Sequence, residues 1–172
     1  MIKFFVNKKG YTLVEALVYI GVFILISSVI VSLILSVLET NQQASPMNSL
    51  SRGAVSVLEP ITKEIRGARS VDFVNSSFGT STGNLQLNTL DISGNLRTVR
   101  FYLNSKTVKI DDNGTYLGPL NSSDVSVTAL IFNFATSSEQ TIIKVELDLT
   151  AGSGAFQKSE KFYTAVGLRV DN

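Results

Sequence analysis

The sequence predicts an α+β fold in which a long N-terminal helix, apolar in its first half and amphipathic in its second, packs on an antiparallel β-sheet. Three observations predict it. Ala16 to Leu38 carries no charged residue. Met47, Leu50, Ala54, Val57, Leu58, Ile61, Ile65 and Ala68 then recur at spacings of three and four, one stripe of a helix. From Val71 onward the apolar period falls to two, the spacing of strands with one buried face.

The apolar run comes first. Residues 16–38, at about 1.5 Å per residue, span roughly 35 Å, enough for a bilayer. A secretory signal has a shorter core followed by a small-x-small cleavage site, and Glu39-Thr40-Asn41-Gln42-Gln43 offers none. No second run of this length follows, so one crossing is expected. Lys3, Lys8 and Lys9 precede the run, which predicts a cytoplasmic N-terminus and an extracytoplasmic remainder after Glu39. Ser27, Ser28, Ser32 and Ser36 fall at helical spacings. They fit either a face for close helix packing or hydroxyls bonded to their own backbone.

The next segment, residues 39–70, is the amphipathic helical part. Ser45-Pro46 reads as an N-cap with proline in the first turn, predicting a break or kink between the two helical parts. Pro60 predicts a second kink, because it removes a backbone donor and disfavours helical geometry at Glu59.

Residues 71–172 form the β-rich part. Leu85, Leu87 and Thr89 start an early strand, and Val99, Phe101 and Leu103 mark the buried face of another. Ile143, Val145, Leu147 and Leu149 alternate with Lys144, Glu146 and Asp148, the cleanest half-buried strand in the chain. Phe162, Thr164, Val166 and Leu168 form a further face. Between Asp124 and Phe134 the apolar set shifts from Val125 and Val127 to Leu130, Phe132 and Phe134, which predicts a bulge near Thr128-Ala129. Asn104-Ser105 and Asn113-Gly114 read as hairpin turns, the latter a favoured type I′ pair. With no helical stripe in between, an antiparallel meander is the expected connection.

Composition narrows the chemistry. Neither cysteine nor histidine is present, which removes disulfides, thiol chemistry and the commonest general base and metal ligand. No basic run with interleaved aromatics appears, so no nucleic-acid contact is expected. Asp111-Asp112-Asn113-Gly114 has the flavour of a calcium loop but lacks its alternating ligands and distant glutamate; a plain acidic turn is the other reading. Asn75, Asn113 and Asn121 each open a short glycosylation pattern of little specificity. Gly152-Ser153-Gly154 reads as a hairpin loop. No catalytic constellation, metal or cofactor is expected.

The stretch Gly10-Tyr11-Thr12-Leu13-Val14-Glu15 joins the basic leader to the apolar run, and Glu15 is the only charge between Lys9 and Glu39. A lone carboxylate at the mouth of an apolar helix is costly in hydrocarbon and calls for a partner or a route to the interface. This arrangement resembles the processing site of type IV prepilins and pseudopilins, with Tyr11 where phenylalanine is commoner. The resemblance implies a pilin-like fold and cleavage by a prepilin peptidase between Gly10 and Tyr11. Residues 1–10 would then leave as a cytoplasmic leader, and the amine of Tyr11 would be N-methylated. Loss of Lys3, Lys8 and Lys9 would take the formal charge from +1 down by three, to −2. Glu15 would pair with the terminal amine of a neighbouring subunit, and residues 11–38 would serve first as membrane anchor and then as filament core.

Ile65-Arg66-Gly67-Ala68-Arg69-Ser70-Val71, closing the helix before the strands, is similar to minor pseudopilins of the J type and related minor pilins. An ordinary basic helix C-terminus accounts for it equally. The expectation is a non-enzymatic minor subunit of the cytoplasmic (inner) membrane. It would initiate or cap a pilus, secretion or competence filament, with the prepilin peptidase and other pilins as partners. Two other classes stand against it: an unprocessed single-pass anchor carrying a binding or sensor domain, and a membrane-tethered enzyme. Neither needs Gly10 or Glu15.

Overall fold

The computed structural model describes residues 12–136 and 141–168. Among them a single α-helix, α1 (Leu13–Gly67), precedes eight strands: β1 (Ser70–Val71), β2 (Asn84–Leu90), β3 (Leu96–Asn104), β4 (Thr107–Asp112), β5 (Thr115–Pro119), β6 (Val125–Thr136), β7 (Thr141–Ala151) and β8 (Lys158–Gly167). The α+β class stands. The chain divides into two compact units, Met1–Gln42 and Gln43–Asn172.

In the first unit Leu13–Leu38 has a mean hydropathy of 2.8 and none of it is buried. It is long and apolar enough to cross a membrane. Ser28 Oγ donates to the Leu25 carbonyl at 2.8 Å, so this hydroxyl is satisfied by its own helix.

In the second unit the stripe predicted from periodicity is the helix's buried face. Leu50, Val57, Ile61 and Ile65 are fully buried, and Ala54 and Ala68 nearly so. Leu58 is half-buried, but Met47 is exposed, so the stripe begins one turn later than its pattern implies. Of the break or kink expected at Ser45-Pro46, the break is absent: both Pro46 and Pro60 lie inside α1. An internal proline costs about 3 kcal/mol, whereas each large apolar side chain buried returns roughly 1.5–3 kcal/mol. Leu50, Val57, Ile61 and Ile65 around the prolines therefore outweigh them. Pro46 is itself buried against the backbone at Gly152, where an added Cβ would lie 3.1 Å from the proline ring.

The strands form two antiparallel meanders rather than one sheet: a five-stranded sheet in the order β1-β2-β3-β4-β5 and a three-stranded sheet in the order β6-β7-β8. Leu85, Leu87 and Thr89 of β2, Val99 and Phe101 of β3, and Ile143, Val145, Leu147 and Leu149 of β7 are buried as their alternation predicts. The β6–β7 register shifts between Val127 and Ala129, where the bulge was expected. Asn113 and Gly114 have φ of 48° and 80°, the left-handed pair of a type I′ turn. The β3–β4 turn is displaced by one residue from Asn104-Ser105 to Ser105-Lys106, whose φ values are 50° and 63°. Phe134, expected on the buried face, is exposed and stacks edge-on with Phe73 and Phe78 at centroid distances of 5.1 and 4.9 Å.

What divides and rejoins the sheets is a small set of buried polar contacts. β5 ends at Pro119, which cannot donate to a ladder. Two residues on, the buried Asn121 side chain accepts from Val108 N at 2.8 Å and donates to the Val125 carbonyl at 2.7 Å, tying β4 to the start of β6. The outer edge of β6 is covered by the chain before β2. Gly79 N donates to Phe132 O, Gly83 N to Leu130 O, and Leu130 N to Ser81 O. Gly83 is required for this approach, since a Cβ there would collide with the Leu130 carbonyl and lie 2.8 Å from the Phe132 ring.

Candidate functional site

Gly10 and Tyr11, the residues expected to flank a cleaved bond, lie outside the described residues. Glu15 is described, in the first turn of α1. Its backbone N–H lies 3.3 Å from Thr12 Oγ1, and Ala16 N donates to the Thr12 carbonyl at 3.1 Å. Thr12 is thus the helix N-cap, and Thr12-Leu13-Val14-Glu15 has the spacing of a capping box. That Ser/Thr-x-x-Glu signal stands in the sequence ahead of an apolar run. The Glu15 carboxylate accepts from the Tyr19 hydroxyl, one turn on, at 3.2 Å. A negative charge here also faces the positive end of the helix dipole. Glu15 is exposed, so its carboxylate remains accessible to a further cation.

In the second unit the titratable groups form structural ties. Arg97 bridges the last turns of α1 to the sheet, donating to Glu64 at 3.2 Å and to Asp112 at 3.0 Å. Asp111 is buried, ion-paired with Arg100 and accepting from the Tyr102 hydroxyl at 3.2 Å. Both carboxylates of the acidic turn therefore already face arginines, and the plain-turn reading of that motif fits the geometry. Among the described residues no group of three or more acidic side chains is arranged to hold a metal ion. Asn121, one of the glycosylation-pattern asparagines, is buried and commits its amide to backbone partners. Burial and then the Asp111 charge push the Tyr102 phenol above its ordinary range.

Three carboxylates, the half-buried Asp72 and Asp91 and the exposed Asp124, sit below their ordinary range for a local reason. The Asn75 side chain and backbone donate to Asp72, and the Asn95 backbone and side chain donate to Asp91. Asp124 is held down by the Ser122 and Ser49 hydroxyls. A depressed carboxyl contributes stability above the unfolded value near 3.9 and loses it as pH falls through the folded value. The raised phenol of Tyr102, and the ammonium of Lys161 raised by Asp148, contribute below their unfolded values near 10 and lose it above. Thermal melts across pH should therefore show a plateau between about pH 4 and pH 10 with a fall on each side. A melting temperature unchanged from pH 7 down to pH 2 would contradict the carboxylate contacts.

No family model, curated protein or solved structure matches this chain.

Proposed function

We propose that the chain is a prepilin-like precursor of a minor filament subunit, anchored in the cytoplasmic membrane before leader cleavage and assembly. The observation that carries this reading is Gly10, followed five residues later by Glu15 as the only charge before an unbroken apolar run. A leader carrying Lys3, Lys8 and Lys9 on one side and a helix long and apolar enough to cross a membrane on the other complete the motif. The continuation of α1 to Gly67, with its buried stripe under the strands, supports a pilin-like arrangement. In this reading the peptidase cuts between Gly10 and Tyr11 and methylates the Tyr11 amine. The globular part lies outside the membrane. Once the membrane helices bundle, the Glu15 carboxylate receives the terminal ammonium of a neighbour. An unpaired charge buried among apolar helices costs several kcal/mol, so pairing rewards one axial stagger over the rest.

The test separates processing from assembly. Glu15→Ala should still be inserted and cleaved, because glycine serves the peptidase and the apolar run serves the membrane. Its incorporation into filaments should fall at least tenfold beside wild type, measured by immunoblot of sheared filaments. Equal incorporation would remove the pairing role of Glu15.

A further inference from the structure

Four strand edges border the two sheets, and three are short or covered. β1 has two residues, β5 pairs with β4 through a register shift between Ile110 and Asp111 of β4 and ends in Pro119, and the β6 edge is bonded to the segment around Ser81. β8 differs. It pairs with β7 in an unbroken register from Lys158 to Gly167, without proline or bulge. Among the described residues no strand pairs with its other side. A long, regular open edge is a template for another strand.

Beside that edge runs a groove of about 760 Å³, bordered by Ala54, Val55 and Leu58 of α1 and by Phe162, Tyr163 and Thr164 of β8. Consecutive strand residues point to opposite faces, so a groove touching all three of the last set meets β8 edge-on. An open edge with a helix alongside and an apolar groove between is the geometry in which an extended peptide adds to a sheet. Backbone bonds then supply affinity, and alternate side chains enter the groove. The volume lies within the range of ligand-binding clefts, roughly 300–1,000 Å³.

Charge selects the occupant. The groove's charged side chains are Glu59, Lys63 and Arg66, two cations to one anion. Among the described residues Lys158 and Glu160 of β8 make no ion pair with β7, while Lys161 is already paired with Asp148 at 3.0 Å. We propose that the β8 edge and its groove receive an extended acidic segment of another polypeptide as an added strand. The proposal does not depend on the filament reading.

The test uses the full chain in detergent micelles and a fluorescein-labelled peptide of alternating valine and threonine ending in two aspartates. Binding should raise the label's anisotropy and slow amide exchange over residues 158–167. Lys63→Glu with Arg66→Glu should weaken binding about tenfold or more; both side chains are exposed, so the core is untouched. Methylating alternate peptide nitrogens should weaken it by as much, because each removes a ladder donor. Replacing the aspartates by lysines should do the same. No binding at millimolar peptide, or undiminished binding of the N-methylated peptide, would overturn strand addition. Equal affinity for the lysine peptide would overturn the charge selection. Concentration-dependent protection of residues 158–167 without peptide would identify a second copy as the occupant and overturn the proposed partner.

Discussion

Ile61→Asp and Ile65→Asp should each unfold the strand-bearing unit. Both side chains are fully buried in the core shared with Leu85, Phe101, Leu130 and Leu147. An aspartate there would sit among apolar neighbours without a counter-charge, and would either stay protonated at high cost or draw water into the core. Losses above about 4 kcal/mol are expected, against a typical stability of 5–15 kcal/mol for a whole domain. The contrast lies on the other face of β7. Lys144 and Glu146 pair at 2.9 Å, with the lysine side chain 51% exposed. Replacing either with alanine should change stability by less than about 0.5 kcal/mol, as for other surface pairs. Thermal melts of a chain lacking residues 1–38 measure all four. Aspartate variants that melt like wild type would mean that the α1 stripe is not packed against the strands.

The second large effect concerns Gly10. Glycine presents no Cβ, so its backbone fits a narrow protease cleft that any side chain would crowd. Gly10→Ala should slow processing modestly, and Gly10→Phe should abolish it while leaving membrane insertion intact. The ratio of processed to full-length chain, followed over time beside an active prepilin peptidase, measures both. Processing of the phenylalanine variant at the wild-type rate would place the scissile bond elsewhere.

Much of the fold was legible because burial imposes a period. The stripe from Leu50 to Ala68 and the alternations in β2, β3, β7 and β8 were visible one residue type at a time. The bulge after Val127 was visible because a bulge flips the apolar phase. The division into two sheets was not, since it is set by contacts distant in sequence: Asn121 reaching Val108, and Gly83 meeting Leu130. Local pattern does not name a strand's partner. Neither proline ends the helix, for a related reason. Their local cost is real, but burial of the surrounding stripe exceeds it, and that burial is tertiary. Met47 and Phe134 fit their local periods yet lie beyond the part of each element that the core covers. Of the candidate site, Glu15 alone falls among the described residues, and its partner in the capping box, Thr12, was written in the same Thr-x-x-Glu spacing. The β8 edge was invisible, because an open edge is defined by which strands fail to pair with it.

Intact-mass measurement of the chain purified from cells containing a prepilin peptidase tests the central claim most directly. The expected species lacks residues 1–10 and carries one added methyl group on the amine of Tyr11. Persistence of the full-length, unmethylated mass beside a demonstrably active peptidase would contradict it and leave the unprocessed membrane anchor as the better reading.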